Sequence, residues 1–312
     1  FVVDGKGLKM SKSLGNVIAP EDILKKYGAD ILRVWVAASN YAEDLRIDYS
    51  ILEQHAEAYR KIRNTFRYIL GNLNDKFTAH NFNSVEVNKL PELEQYMLHK
   101  IFILNENFHK NFDNYTFHNL YKELLNFCTV DLSAFYFDIR KDALYCDNLN
   151  SEKRKSCVTI LNILLDCLLK WFAPILSFTT EEIYSLVSKN NNDSIHFKKF
   201  IKPPEIWKNK SLDEKWEKLK KIRDVANISI ESKRTEKLIG SSLESIIKIK
   251  LNKELYNIAK DFDFAELCIT SAAEVSLDNN LDDEIVIETF KAEGDKCNVC
   301  WKIKKGKCER HG

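Results

Sequence analysis

The feature that most constrains the fold is a recurrence of apolar residues at helical spacing between residues 50 and 189. They fall three or four positions apart, which places them on one face of each predicted helix. The first helix carries Ile62, Phe66, Ile69, Leu70 and Leu73, and the next, which follows Pro91 and two glutamates, carries Leu93, Met97, Ile101, Leu104 and Phe108. Further helices are expected at residues 116–137, at 151–173 and from a Thr179/Glu182 capping box onward. The pattern predicts an antiparallel bundle of four or five helices.

Composition agrees with a mainly α chain. The 312 residues include only 9 Gly and 5 Pro, too few for a sandwich of many short strands, and 45% hydrophobic content suffices for a sizeable core. A chain of this length allows roughly two domains. The polar segment at residues 190–194 and the Pro203–Pro204 pair mark a boundary near residue 200.

Both ends of the chain differ from the bundle. Residues 1–18 form a short apolar run and a loop rich in Gly and Lys, after which Pro20 and two carboxylates begin a helix. Gly28 is expected to end it, and residues 29–38 predict a second helix. Beyond residue 200, a Ser211/Glu214 capping box begins a helix with an apolar face. That face is Trp216, Leu219, Ile222 and Ala226. Residues 247–251 and 285–287 alternate as β-strands do.

Charge and cysteine content exclude several classes of protein. The 47 basic and 46 acidic residues almost balance, so any nucleic-acid surface must be local. Eight cysteines are too few for a disulfide scaffold in a chain of this length. Five of them stand singly among apolar neighbours and predict buried thiols in a reducing cytoplasm: Cys128, Cys146, Cys157, Cys167 and Cys268.

No membrane segment is expected. The longest apolar stretch, residues 157–175, is interrupted by polar residues and a proline. The opening residues, Phe1 to Gly5, lack the layout of a signal peptide, and we expect the chain to begin inside a longer protein.

The sharpest local motif is a pair of lysines and a pair of serines set between three glycines. It consists of Lys9, Met10, Ser11, Lys12 and Ser13. Two ammonium groups and two hydroxyls on a loop ahead of a helix can fold over a triphosphate and stabilise charge on leaving pyrophosphate. The spacing differs from that of a Walker-type loop. The alternative is a solvated basic loop, the commoner explanation for an isolated cluster of this kind.

The wider segment, residues 4–16, resembles the KMSKS signature loop of class I aminoacyl-tRNA synthetases. The resemblance implies that Lys9, Ser11 and Lys12 contact the phosphates of ATP, which binds with Mg, while an aminoacyl-adenylate forms. It implies a catalytic role for Lys9 and Lys12, with Met10 and Ser13 completing the ATP-binding set. The family's His-x-Gly-His signature is absent, as expected if it lies upstream of Phe1.

Three further segments look like those of bacterial isoleucyl-tRNA synthetases: residues 27–33, 58–65 and 131–142. The third of these segments, together with residues 144–147 and 239–244, is more like this family than the related valyl and leucyl ones. The resemblance implies an ATP-dependent isoleucine–tRNA ligase, of which this chain is a piece that would be inactive alone. The alternatives are a valyl- or leucyl-tRNA synthetase and a noncatalytic tRNA-binding protein derived from a synthetase.

Arg60, Arg63 and Arg67 recur at spacings of three and four, so they share one face of the first bundle helix. Such a stripe can follow a phosphate backbone. The alternative is a solvated face of the kind that most surface helices have. The resemblance to an anticodon-binding bundle favours tRNA contact.

The last residues contain Cys297-x-x-Cys300 and, seven residues later, Cys308-x-x-His311. Two pairs of ligands on tight turns match a tetrahedral zinc knuckle. Redox chemistry at the first pair is the alternative, but it would leave Cys308 and His311 unexplained. Synthetases of this type usually close the site with a fourth Cys, so His311 departs from the family pattern.

Arg140, Lys141 and Trp301 are further candidates for tRNA contact. Nearby carboxylates could instead pair with the first two: Asp138 and Asp142. Trp301 could stack on an unpaired base, worth about 1–3 kcal/mol, or cover the metal site as packing. The residues around it are basic, which suits phosphate contact, with only Glu309 acidic. These cations are Lys296, Lys302, Lys304, Lys305, Lys307 and Arg310.

We therefore expect a mainly α protein in four parts. Residues 1–48 would be the last piece of a Rossmann-like catalytic domain and residues 49–200 a helical anticodon-binding domain. Residues 201–295 would be an α+β junction domain and residues 296–312 a zinc-bearing tRNA-contact module. The expected partners are tRNA(Ile), ATP and, through a part outside this chain, isoleucine. The complete protein is expected to be a cytoplasmic monomer.

Overall fold

The computed structural model describes residues 1–73, 82–188, 192–281 and 285–312. They form two units, the first made of Phe1–Asp138 and Leu149–Lys208 and the second of Ile139–Asn148 and Asn209–Gly312. The mainly helical fold class is confirmed, and the four-part division of the chain stays a prediction. The predicted loop at residues 190–194 lies partly outside the described residues.

The first unit opens with a small parallel pair of strands and two helices. The elements are β1 (Val2–Asp4), α1 (Pro20–Tyr27), α2 (Ala29–Ala38) and β2 (Leu45–Ile47). Pro20 occupies the first turn of α1, and Gly28 adopts φ 83° between the two helices, as the sequence predicted. An apolar cluster joins these elements to the next helix. Its buried members are Ile23, Trp35, Ile47 and Leu52.

The rest of the first unit is a set of helices. They are α3 (Tyr49–Leu73), α4 (Glu92–Asp113), α5 (Phe117–Asn126), α6 (Phe137–Cys146), α7 (Glu152–Phe172) and α8 (Ser177–Val187). Within α6, the residues Ile139–Cys146 belong to the second unit. The predicted apolar faces of α3 and α4 are buried, except that Leu70 is half-buried. Residues Phe127–Tyr136, between α5 and α6, are π-helical. An apolar pattern at helical spacing does not distinguish this wider turn from an α-helix.

Two helices begin differently from the prediction. In α8, Thr179 lies inside the first turns rather than at the cap. Its backbone N–H and hydroxyl donate to the carboxylate of Asp30 on α2, at 2.7 and 2.6 Å, so a distant residue supplies the cap. In α9 (Lys210–Thr235), the N-cap is Asn209, whose side chain accepts from the backbone N–H of Leu212. The predicted capping boxes at Thr179 and Ser211 are therefore wrong.

The second unit packs α9 against a three-stranded sheet. Central β3 (Ser245–Leu251) pairs parallel with β4 (Ala272–Leu277) and antiparallel with β5 (Val286–Lys291). Two short helices, α10 (Lys253–Ala259) and α11 (Phe264–Leu267), lie between β3 and β4 in sequence. The alternation in β3 buries Ile247, Ile249 and Leu251. The predicted face of α9 is buried as well: Trp216, Leu219, Ile222 and Ala226.

The predicted burial of the five single cysteines can be checked in the structure. Four of the five single cysteines are buried, whereas Cys146 is only half-buried. Among the described residues, no helix has the length and apolar character that crossing a membrane would need.

We predict that Asp30→Ala destabilises the chain by about 2–3 kcal/mol, because it leaves the buried N–H and hydroxyl of Thr179 without their charged acceptor. Urea unfolding measures the loss. Asp22→Ala, which removes an exposed carboxylate from the first turn of α1, is the control and should cost less than about 1 kcal/mol. Equal midpoints for the two variants would contradict the capping role of Asp30.

Candidate metal centre and nucleic-acid surfaces

The loop of residues 4–16 is held closed at its base by two polar side chains. The Asp4 carboxylate accepts from the backbone N–H of Lys6 at 3.0 Å and of Leu8 at 2.8 Å. Asn16 donates to Asp4 at 2.9 Å and accepts from the Ser11 N–H at 2.9 Å. These hydrogen bonds, that of Asn16 foremost, lower the pKa of Asp4.

Close backbone approach explains Gly5 in this loop. A Cβ at Gly5 would lie 2.0 Å from Oδ2 of Asp48, far inside van der Waals contact. Asp48 is itself fixed, since its carboxylate accepts from the backbone N–H of Ile51 at 2.7 Å at the start of α3. The loop is therefore fixed against the first turn of α3.

Met10 anchors the loop to the protein, whereas the two lysines of the motif are exposed. The half-buried Met10 packs on the apolar cluster around Trp35. Lys9 and Lys12 are exposed, and in the described part of the chain neither takes part in an ion pair. The predicted cations thus lie at the surface of an anchored loop.

The two loop serines are engaged with the loop itself. The Ser11 Oγ accepts from the backbone N–H of Leu14 at 3.3 Å, which caps a short 3₁₀ turn, and lies 3.1 Å from the Ser13 Oγ. Each hydroxyl retains capacity for a further hydrogen bond, because a hydroxyl offers one donor and two acceptor positions.

The arginine stripe lines a groove of about 650 Å³ between α3 and α8. Four of the residues that line it are apolar: Phe66, Leu70, Ile183 and Leu186. Arg60 pairs with Glu53 at 3.2 Å and with Glu57 at 3.3 Å. Arg63 and Arg67 are exposed and form no ion pair within the described ranges. Two of the three predicted arginines therefore present unpaired charge.

Arg140 does not fit the predicted surface role. Its side chain is 3% exposed, and its guanidinium pairs with Glu266, 126 positions later in sequence, at 2.7 Å. Its predicted tRNA contact is therefore corrected to an internal ion pair. The neighbouring Lys141 is exposed, and its tRNA contact stays a prediction.

The structure brings together the four predicted metal ligands. The ligand atoms of Cys297, Cys300, Cys308 and His311 all lie within 4.8 Å of one another. A short hairpin of β6 (Asp295–Lys296) and β7 (Ile303–Lys304) carries the first pair. Backbone hydrogen bonds close both tight turns, from the N–H of Trp301 to the carbonyl of Cys297 and from that of His311 to the carbonyl of Cys308.

The distances within the cluster suit zinc. Tetrahedral zinc would separate two sulfurs by about 3.8 Å and a sulfur from a nitrogen by about 3.6 Å. Cys300 and Cys308 Sγ are 3.9 Å apart, and His311 Nδ1 lies 3.5 Å from Cys297 Sγ and 3.6 Å from Cys308 Sγ. Nε2 of His311 lies 3.0 Å from the carbonyl oxygen of Cys146 and 3.3 Å from Nε of Arg310. Because the carbonyl oxygen can only accept and is the nearer of the two, we assign the proton to Nε2, which leaves Nδ1 free to bind metal.

Backbone hydrogen bonds lower the pKa of two of the three thiols in the cluster. Backbone N–H groups of Cys300 and Val299 lower the pKa of Cys297 to about 6. The backbone N–H of Arg310 likewise lowers the pKa of Cys308. Burial raises the pKa of Cys300 to about 11, an effect that a bound cation would oppose. Thiolate is the form that binds zinc, so the donor set fits the metal.

Trp301 lies on the surface of this module. Its side chain is 58% exposed, its backbone φ is 62°, and the ammonium of Lys296 lies 5.3 Å from its ring centroid. This exposure leaves the ring accessible for stacking.

The cations around the metal cluster differ in their partners. Arg310 pairs with Asp142 and Asp147, and two lysines pair with glutamates: Lys304 with Glu309, and Lys305 with Glu293. Lys302 and Lys307 are free of ion pairs in the part of the chain that the structure describes. The involvement of Asp142 and Asp147 had no sequence signal, because they lie at least 150 positions from the four cluster residues.

Comparison with known proteins agrees with this geometry. Residues 94–251 match the anticodon-binding domain of tRNA ligase, and residues 1–48 match the class I tRNA synthetases of the I, L, M and V group. The isoleucine–tRNA ligase of Pelagibacter ubique is 68% identical over 311 residues, which cover 100% of this chain and 34% of that protein. The isoleucine–tRNA ligase of Agrobacterium fabrum is 43% identical over 313 residues, covering 97% and 32%.

A solved structure shares the fold. It is a LeuRS from Agrobacterium radiobacter K84 in a ternary complex with tRNA and LeuAMS. The TM-score is 0.51 at 13% identity, over 81% of this chain and 26% of that one. The chain spans about a third of the length of the curated relatives it matches. It belongs to the class I tRNA ligases with an anticodon-binding domain and is homologous to the bacterial isoleucine–tRNA ligases.

Proposed function

We propose that this chain is the part of an isoleucine–tRNA ligase that supplies the loop for the ATP phosphates and much of the surface for tRNA(Ile). The observation that carries the proposal is 68% identity to such a ligase over the whole chain. The complete protein would join isoleucine to ATP, forming the adenylate and releasing pyrophosphate, and then transfer the isoleucyl group to tRNA. A cytoplasmic location and a monomeric complete enzyme belong to the same proposal.

The loop of residues 4–16 would act on the first of these steps. Met10 anchors it, and the exposed ammonium groups of Lys9 and Lys12 supply positive charge for the β- and γ-phosphates. Charge builds on these oxygens as the α–β phosphoanhydride bond breaks, so the lysines stabilise the transition state more than bound ATP. The loop hydroxyls of Ser11 and Ser13 would add donors for the same oxygens, and Mg bound with ATP would share the charge.

We predict that Lys12→Ala in the complete ligase slows isoleucine-dependent ATP–pyrophosphate exchange by about 10²–10³-fold, the usual cost of one donor to developing negative charge. Affinity for tRNA should stay within about 2-fold of the parent, since Lys12 would act only on the phosphates of ATP. Lys6→Ala, in the same loop but outside the motif, is the matched control and should exchange at nearly the parent rate. Exchange by the Lys12 variant at the rate of the Lys6 control would overturn the assignment.

The groove between α3 and α8 would contact the tRNA backbone. Arg63 and Arg67 have no carboxylate partner among the described residues, so they can replace condensed counterions on phosphates. Arg60 is already neutralised by two glutamates. Lys141 and Trp301 remain further proposed contacts.

We predict that Arg63→Ala and Arg67→Ala each reduce the salt dependence of tRNA binding by about one unit of log Kd against log salt concentration, because each arginine meets one phosphate. Arg60→Ala is the internal control and should change the slope less. Filter binding at a series of salt concentrations measures the slopes. If the slope changes in the Arg60→Ala variant and stays at the parent value in the Arg63→Ala and Arg67→Ala variants, the proposed surface is ruled out.

The four-ligand cluster would hold a structural zinc ion. With four protein ligands the site leaves no open position for substrate, so the metal would stabilise the module of residues 296–312 rather than act on isoleucine or ATP.

We predict that Cys300→Ser lowers the zinc content well below one ion per chain and unfolds only the terminal module, since metal binding and folding are coupled in such small units. Metal analysis and circular dichroism measure the two effects. Cys268→Ala, at a buried cysteine of the same unit outside the cluster, should keep its zinc. Parent zinc content in the Cys300 variant would refute the ligand assignment.

A further inference from the structure

Charged contacts within the second unit tie the metal module to the end of α6. The Arg310 guanidinium donates to both carboxylate oxygens of Asp142, at 2.6 and 3.0 Å. Its Nε lies 3.4 Å from the carboxylate of Asp147. Two parallel N–H···O bonds from one guanidinium fix orientation as well as distance.

The residue after Arg310 carries the fourth ligand atom. His311 directs Nδ1 at the sulfurs of Cys297 and Cys308, and Nε2 donates to the backbone carbonyl of Cys146, the last residue of α6. The thiol of Cys146 lies 3.5 Å from the carbonyl of Val299, between the first two ligands. The end of α6 therefore contacts both halves of the metal cluster.

We propose that Asp142, Asp147 and the carbonyl of Cys146 are positioning groups for the metal ligands, so that zinc binding and the docking of residues 139–148 form one coupled equilibrium. The proposal rests on the metal site described above. A carbonyl behind a ligating imidazole fixes its ring orientation and raises its basicity, and loss of such partners typically weakens metal binding about 10–100-fold.

Coupling of this kind acts in both directions. If residues 139–148 raise the affinity for zinc, bound zinc must stabilise their docking by the same factor. Removal of the metal should then loosen a segment that lies about 150 residues from the ligands in sequence.

The arrangement also separates two kinds of cation in the module. Arg310 has two carboxylate partners, and its charge serves the internal contact. Lys307 has no ion-pair partner among the described residues and remains available to an anionic partner such as RNA. Substitution of Arg310 should weaken zinc binding, and substitution of Lys307 should leave it unchanged.

The test is the zinc affinity of the full chain, measured by competition with a chromogenic chelator. Asp142→Asn and Arg310→Gln should each weaken zinc binding about 10–100-fold, and the double variant should be no weaker than the weaker single, since both remove the same contact. Lys307→Gln removes the same charge from the module and should keep the parent affinity. Parent affinity in Asp142→Asn, or losses that multiply in the double variant, would overturn the proposal.

Hydrogen exchange supplies a second readout that does not depend on affinity. Stripping zinc from the parent should speed amide exchange at residues 139–148 and leave α3 unchanged. If residues 139–148 exchange equally with and without zinc, the coupling is absent. If the parent chain binds no zinc, the metal site itself is refuted. If the parent binds zinc and the Asp142→Asn variant binds it equally well, only the positioning role is refuted.

Discussion

The apolar cluster around Trp35 is the contact on which the proposed nucleotide site depends. It buries Ile23, Ile47 and Leu52 from three different elements, and Met10 packs onto it from the loop. Met10 is half-buried there, so its contribution is below the roughly 1.5–3 kcal/mol of a fully buried large apolar side chain, and it adds to the hydrogen bonds of Asp4 and Asn16 that hold the loop. Because Met10 points inward, the lysines on either side of it point to solvent. The loop therefore offers its charge to an anion at little cost in reorganisation.

Elsewhere in the chain, too, some cationic side chains pair with carboxylates and others do not. Arg60, Arg140 and Arg310 all have carboxylate partners, and Arg140 is buried while its partner Glu266 is half-buried. Lys12 and Arg63 have none among the described residues. A nearly neutral chain can thus present local cationic surfaces, since its acidic residues neutralise particular cations rather than all of them. Net charge alone would have given no indication of these surfaces.

Periodicity and composition predicted most of the fold, because burial of helix faces follows directly from local spacing. The bounds of α2 were also predicted correctly, as was the clustering of the four Cys and His side chains of the proposed metal site, since both rest on residues close together in sequence. Contacts between residues far apart in sequence could not be predicted from it. The Asp30 cap of α8, the Glu266 partner of Arg140 and the Cys146 carbonyl behind His311 each join positions more than 100 residues apart. Sequence spacing carries no information about such pairs, so Thr179 and Arg140 were misassigned.

The proposed function depends on which amino acid the complete protein would activate. ATP–pyrophosphate exchange with the complete protein, in the presence of isoleucine, valine or leucine, measures this directly. We expect exchange that is fastest with isoleucine, followed by isoleucyl transfer to tRNA(Ile). Exchange driven preferentially by valine or leucine, or no exchange with any of the three, would contradict it.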